Sequence, residues 1–442
     1  MTFFFLVFTA SFFLKLGADT LEHPPLRIGY LIFLGLGLIS LLKKERLVGL
    51  LKSPTAVLFL AFFAFQLVRL SWALWQITVR GLESSITLPL HLYVASPVTW
   101  LLYLGFFAFA FLLFRSRSQT QRLLWTLGTC AFVLALTALP PLIQTGTHGY
   151  VGPDGKYAFF PPFVYFHDIV TRYLVSKFAH PNYVGDVVAL GFFPALGLFL
   201  YSLQHRSTIP PLALSGLLVA TEGLAIILFF SRATIVCFAI AFLIFLTASL
   251  IKYPSRAQFV FAAAAFLLVA AFLLWTGDIQ GTWKELQTLE VDLDAERESS
   301  FTSNREGAKR AVRIFQTFPL WGVGSEGYAR IAGLYATPGV EHYFITNYLV
   351  LCHYLQVLAE EGSGAFLYLL ALLIFFMEAT AGLLRAKSRF QFMAGLSLLM
   401  TVSMILVHAS VKPVMEFFAI AMPVYILMGA ALAILNPDFG QE

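Results

Sequence analysis

Arginines, a lysine and histidines set between two long apolar segments are the residues of this chain whose types and spacing could do chemistry. Residues 300–364 carry Arg305, Lys309 and Arg313 at four-residue intervals, the histidines His342 and His353, and the run Trp321-Gly322-Val323-Gly324. An arginine fork binds a diphosphate through parallel charge-assisted hydrogen bonds and stays charged at any working pH, so it can also stabilise a departing diphosphate. A histidine near its ordinary pKa can take a proton from an acceptor hydroxyl. Together they suit group transfer from a phosphate-linked donor. The plain alternative is a solvated helix face, or one that attracts anionic headgroups, and the residues alone leave both open.

The elements that must hold these groups follow from local signals. Ser303 and Glu306 have capping-box spacing, which predicts a helix from about Asn304 that Pro319 stops. On that helix Ala308, Ala311, Val312 and Phe315 form an apolar stripe opposite the cations. The glycines of 321–324 predict a tight turn. Arg232 follows Ser231 at the end of an apolar span, on the same side as this segment, so its guanidinium can point into the same external cavity.

Composition settles the solvent. Of 442 residues 59% are hydrophobic and 12% charged, with mean hydropathy +0.80, against roughly 25% charge in soluble domains. This is the composition of an integral membrane protein. Aromatic residues at 16%, 46 of them Phe, suit lipid-facing helices with Tyr and Trp at the interfaces. Cys130, Cys237 and Cys352 are too scattered for a disulfide framework or a thiolate metal site. The start MTFFFLVFTASFFLKLG lacks a basic n-region and a cleavage site, and is read as a first, retained span. The net charge of +5 calls for no nucleic-acid partner.

A membrane helix needs roughly 20 apolar residues. About twelve runs qualify, at 2–17, 27–43, 54–78, 97–114, 123–144, 183–203, 210–230, 232–251, 257–276, 360–384, 390–408 and 414–435. The expected fold is an all-α polytopic membrane protein, one domain over 1–442. Short basic connectors at 43–46, 115–122, 205–206, 252–256 and 385–389 fall on one side, which puts both termini in the cytoplasm. The long connectors 145–182 and 277–359 then face outward, and the second carries the candidate active site. It segregates its charges, with Glu285, Glu290, Asp292, Asp294, Glu296 and Glu298 ahead of the cationic helix.

Charges inside or at the ends of spans must face a cavity or a partner: Lys15, Arg69, Asp186, Glu222, Arg232 and Glu378. Lys15 and Glu378 are near enough to span ends to snorkel. A transporter would line a path with Arg69, Asp186 and Glu222, yet the densest constellation is external. Asp292-Leu293-Asp294 imitates the paired aspartates of metal-dependent glycosyltransferases but sits in an acidic run. No metal-ligand or phosphate-loop motif occurs, so no metal and no cofactor is expected. A metal-dependent oligosaccharyltransferase would need early outer carboxylates, where Asp19 and Glu22 are thin support.

Four segments, in order, resemble the O-antigen ligase and O-antigen polymerase superfamily of bacterial inner-membrane proteins. His180-Pro181-Asn182-Tyr183-Val184-Gly185 resembles its (H/N)PN-aromatic segment, and Phe230-Ser231-Arg232-Ala233 its SRG/SRA signature. Asn304-Arg305 with Phe315, Pro319 and Gly322-Val323-Gly324 resembles its large periplasmic loop segment. Tyr354-Leu355-Gln356 with Leu358-Ala359-Glu360-Glu361-Gly362 resembles its HNxYLxxLAExG segment. The likeness covers roughly 180–385. It departs at the family's leading His-Asn, which falls on Leu351-Cys352, so His353, two places on, is the first candidate for the catalytic histidine and His342 the second.

The resemblance implies a membrane-embedded, GT-C-like glycosyltransferase with a large, partly helical periplasmic loop, independent of metal. Such an enzyme takes a glycan from undecaprenyl diphosphate and moves it with inversion to lipid A-core, if a ligase, or to another lipid-linked repeat, if a polymerase. The ligase is favoured, and a polysaccharide flippase stays open as another class. By position Arg232 and Arg305 hold the donor diphosphate and His353 activates or orients the acceptor hydroxyl; helix geometry adds Lys309 and Arg313. Membrane lipids are the remaining partners.

Overall fold

The computed structural model describes residues 35, 44–80, 90–145, 181–204, 209–228, 232–264, 300–324, 327–335, 350, 352–412, 414–416, 418–437 and 439–440. No strand occurs among them. The helices are α1 (Lys44–Leu51), α2 (Pro54–Arg80), α3 (Leu90–Leu113), α4 (Arg117–Thr145), α5 (Pro181–Gln204), α6 (Ile209–Leu228) and α7 (Arg232–Lys252). Then come α8 (Ser300–Thr317), the short α9 (Gly327–Ile331), a 3-10 turn Ala332–Tyr335, α10 (His353–Glu361), α11 (Gly364–Arg385), α12 (Arg389–His408), a 3-10 turn Val414–Glu416 and α13 (Phe418–Leu435).

Six of the described helices are long and apolar enough to cross a membrane, in α2, α5, α6, α7, α11 and α12, with shorter apolar stretches Pro97–Leu113 and Ile420–Leu435. Of the twelve runs expected, 2–17, nearly all of 27–43 and 265–276 lie outside the described residues. α5 and α12 are buried along most of their length, whereas α2, α6, α7 and α11 turn Val68, Leu217, Ile240, Leu243, Phe366 and Met377 outward. Apolar side chains facing out along whole helices suit a hydrocarbon solvent and would be a liability in water. Where helices meet, small residues allow close approach: a Cβ on Gly191 would stand 2.3 Å from the Ala131 Cβ, and one on Gly429 2.1 Å from the Phe107 carbonyl.

The bundle has two unlike ends. At one, Arg117 lies over Phe390, Arg389 lies over Tyr253, Lys252 Nζ donates to the Leu384 carbonyl, and Gly440 N–H donates to the Arg115 carbonyl. The basic connectors 115–122, 252–256 and 385–389 therefore share this end with the last described residues. The opposite end receives α8, α9 and α10. These pack around a small core of Ala311, Ile314, Val323, Tyr328, Ala332, Val350 and Ala359.

Three expectations need correcting. The run 360–384 is not one helix: it breaks at Gly362-Ser363, which leaves Glu360 and Glu361 in α10. α8 starts at Ser300, earlier than the capping box suggested, and ends at Thr317 before Pro319. Its packed face is Glu306, Arg310, Ala311 and Ile314, with Val312 exposed, because α10 and the Ala332–Tyr335 turn meet it on that side. Glu378 does not snorkel: it accepts hydrogen bonds from Ser53 Oγ, Thr55 N and Thr55 Oγ1 at 2.9, 3.3 and 2.8 Å, and so caps the start of α2.

The turn after α8 closes α10. A helix ending inside protein must satisfy its last carbonyls, and here Val323 N–H donates to Ala359 O at 3.1 Å and Gly324 N–H to Glu360 O at 2.9 Å. In return Ser363 donates from N and Oγ to Leu320 O. Gly322 (φ +62°) and Gly362 (φ +58°) make this approach feasible, since a Cβ on Gly322 would lie 2.3 Å from Glu360 O. Gly322→Ala should therefore cost at least about 1–3 kcal/mol and lower the apparent Tm of purified protein clearly more than Gly440→Ala, where φ is +80° but nothing lies within 4 Å. Equal effects would mean that the close approach is unimportant.

Candidate active site

His353 is the first residue of α10, and its position is fixed before its ring makes any contact, because its N–H donates to Ala409 O at 2.9 Å. The next residue, Tyr354, donates its hydroxyl to Leu406 O at 2.5 Å, so the first turn of α10 is tied to the end of α12. The buried imidazole then faces Glu416 and Tyr368. Nδ1 is 2.7 Å from Glu416 Oε1, and Nε2 is 3.3 Å from the Tyr368 hydroxyl, which itself accepts from Tyr425 at 3.4 Å. With Glu416 as the acceptor, Nδ1 is the donor in that contact, and Nε2 faces the Tyr368 hydroxyl. A carboxylate that orients an imidazole and leaves the far nitrogen basic is the arrangement of a general base. The Glu416 side chain keeps about a quarter of its surface exposed, so the pair reaches the outside at that edge.

Aromatic packing holds the phenols in place. Tyr425 of α13 stacks on Tyr103 of α3 at 4.9 Å, and Trp100 stands edge-on to Tyr425 and tilted against Tyr368 at 5.2 Å. These rings come from α3, α11 and α13, so the floor under His353 is built from the membrane helices.

The other end of α10 carries two buried carboxyl groups in different surroundings. Glu361 is ion-paired with Arg69 of α2 and also accepts from Gln66 Nε2 at 2.8 Å and Trp100 Nε1 at 3.2 Å. Arg69 donates further to the carbonyls of Glu360 at 3.1 Å and Trp321 at 3.4 Å. Glu360 has no such cation among the described residues. Burial, reinforced by Glu416 and Glu361, pushes its carboxyl well above the usual range, while hydrogen bonds from the Tyr328 backbone and from Gln356, the latter at 3.3 Å, count the other way. With its carboxyl pKa raised in this way, Glu360 puts less negative charge beside Glu416 than an ordinary glutamate would.

Of the residues expected to bind the donor, Arg305 is exposed on α8. Lys309 pairs with Glu306 on its own helix, and Arg313 donates to Tyr335 O at 3.0 Å. No hydrogen bond or ion pair joins these three to His353 or Glu416. The buried cation of α8 is Arg310, which the four-residue spacing passed over; it lies beside Tyr328, whose phenol burial pushes up to about 12. Arg232 opens α7, with its side chain outside the described residues, as are His342, Lys15, Asp292 and Asp294.

Besides Glu378, two of the charges in the spans have partners. Arg69 has Glu361, and Asp186 of α5 receives His408 Nδ1 at 2.9 and 3.0 Å and Thr234 Oγ1 at 3.4 Å. Glu222 of α6 is buried with neither oxygen hydrogen-bonded among the described residues. Sequence reasoning missed Glu416, Tyr368 and Tyr425 as site residues, and His408 as the partner of Asp186. The one available signal was an isolated glutamate and an isolated histidine at the ends of apolar runs.

A bundle of apolar helices, lipid-facing outside and polar at one end, defines a polytopic membrane protein. Residues 215–367 match the family model described as O-Antigen ligase, a stretch running from α6 through α8, the glycine turn and His353 to the start of α11. Over that third of its length the chain is similar to the O-antigen ligase family, a likeness that supports glycosyl transfer of the ligase or polymerase type. No curated protein matches it.

The state of Glu360 has a measurable consequence. Between the ordinary glutamate value of 4.5 and the raised folded value, the folded chain keeps a proton that the unfolded chain has lost, so stability falls as pH rises. Glu360→Gln mimics the protonated form. Its apparent Tm should fall less steeply than that of the wild type from about pH 5 upward; an unchanged slope would place the titration elsewhere.

Proposed function

We propose that the chain is an inverting, metal-independent glycosyltransferase of the O-antigen ligase kind, moving a glycan from undecaprenyl diphosphate to lipid A-core. It works as a single membrane domain, 1–442, in the bacterial inner membrane, with the outer segments 145–182 and 277–359 on the periplasmic face. The observation that carries this reading is the His353–Glu416 pair, its imidazole buried and its carboxyl partly exposed, at the end of the bundle opposite the basic connectors.

The step balances without a cofactor. An acceptor hydroxyl displaces Tyr368 from the long contact at Nε2 and gives its proton to His353, while Glu416 holds the imidazolium that forms. The acceptor oxygen forms a bond to the anomeric carbon as the bond from that carbon to the diphosphate oxygen breaks, which inverts the centre. The departing electron pair stays on the diphosphate. Arg232 and Arg305 bind that anion bidentately. Lys309 and Arg313, with partners of their own on or near α8, add long-range positive charge and shape the helix rather than gripping the donor first.

The test is reconstitution of the purified full chain in lipid nanodiscs with polymeric lipid-linked glycan and lipid A-core, with and without EDTA. The core should gain the glycan, and EDTA should change nothing. Growth of chains on the lipid carrier with the core untouched would make the protein a polymerase. Loss of transfer on EDTA treatment, restored by Mg²⁺ or Mn²⁺, would end metal independence and return attention to Asp292 and Asp294.

A further inference from the structure

We propose that Asp186, His408 and Thr234 form a positioning node for the transfer reaction, fixing the helix end that carries Arg232 relative to the helix that carries His353. This rests on the roles just given to those two residues.

The node joins three helices. Asp186 lies near the start of α5, Thr234 in the first turn of α7, and His408 at the last position of α12, all shielded from solvent. Both Asp186 oxygens lie within 3.0 Å of His408 Nδ1, so the imidazole donates there; Thr234 Oγ1 adds a longer bond of 3.4 Å to Oδ1. Packing alone does not call for such a group, since a buried charge pair is often no more stabilising than apolar residues of the same volume. What a buried polar node does well is select one arrangement of helices over others.

The contacts continue from the node toward both halves of the site. Thr234 is two residues past Arg232 on the same helix turn. On the other side, the residue after His408 is Ala409, whose carbonyl receives the His353 N–H at 2.9 Å. The sequence of links therefore runs from Arg232 through Thr234, Asp186, His408 and Ala409 to His353, with three hydrogen bonds and otherwise backbone. The His408 ring enters through Nδ1; its Nε2 is buried with no hydrogen-bond partner among the described residues. Positioning thus depends on the Nδ1–H donor and not on the far nitrogen.

Two substitutions separate these nitrogens. An Asn amide can donate from near the Nδ1 position, whereas a Gln amide reaches the Nε2 position and leaves Asp186 without its donor. In the purified full chain, His408→Asn should transfer within about threefold of wild type, while His408→Gln should lose roughly 10- to 100-fold in turnover with binding of the lipid-linked donor retained. Hydrogen exchange should rise in 353–361 for His408→Gln and stay unchanged for His408→Asn. The proposal is overturned if both variants match wild type, if Asn is as poor as Gln, or if Gln is the better of the two. Should a variant fail to fold, Thr234→Val against Thr234→Ser replaces the pair, with Val impaired and Ser not, and any other order overturning it. If the wild type itself transfers nothing, the functional reading fails, and the exchange pattern still decides the node: no difference in 353–361 removes it.

Discussion

A guanidinium buried within a membrane helix must have a counter-charge, and in this protein that requirement determines where α10 and the turn after α8 sit. Arg69 meets Glu361 and at the same time donates to the carbonyls of Glu360 and Trp321. One side chain of α2 thereby holds the C-terminus of α10 and the turn that follows α8. Removing either partner of a buried pair costs about 3–5 kcal/mol, because the survivor is left uncompensated. The nine residues of α10 span about 13 Å, so fixing their last turn also limits where His353, at the first turn, can lie.

Around this helix the polar groups divide by state. Glu361 is matched by a cation, Glu416 by an imidazole, and Glu360 favours its proton. Three carboxyls can share so small a volume only if they do not all carry unmatched charge. The outcome leaves Glu416 as the carboxyl hydrogen-bonded to His353, the contact on which the proposed general-base role rests. The second pair, Asp186 with His408, is deeper and shielded, and its place in the bundle suits the arrangement of helices better than contact with a substrate.

Much of this was legible in the chain. The apolar runs that form the six membrane-length helices, the end of α8 before Pro319 and the glycine turn rest on local signals that survive folding. The register of α8 did not survive, because a stripe of Ala308, Ala311, Val312 and Phe315 is nearly as apolar as the face actually used, and only the presence of α10 decides between them. Glu416 stayed hidden for a different reason: its partner is 63 residues away, and it stands at the head of an apolar run whose first residues form a 3-10 turn. Glu360 and Glu361 were read into the next span because hydropathy does not register the positive φ of Gly362 that ends α10.

The central claim is that His353, oriented by Glu416, acts on the acceptor while the donor is bound by other groups. Single-turnover transfer by His353→Ala, measured alongside binding of the lipid-linked donor, tests it most directly. The account predicts donor affinity within about threefold of wild type and turnover lower by roughly 10²–10⁴-fold. Normal transfer by His353→Ala with an inactive His342→Ala would contradict it, as would a loss of donor binding as large as the loss of turnover.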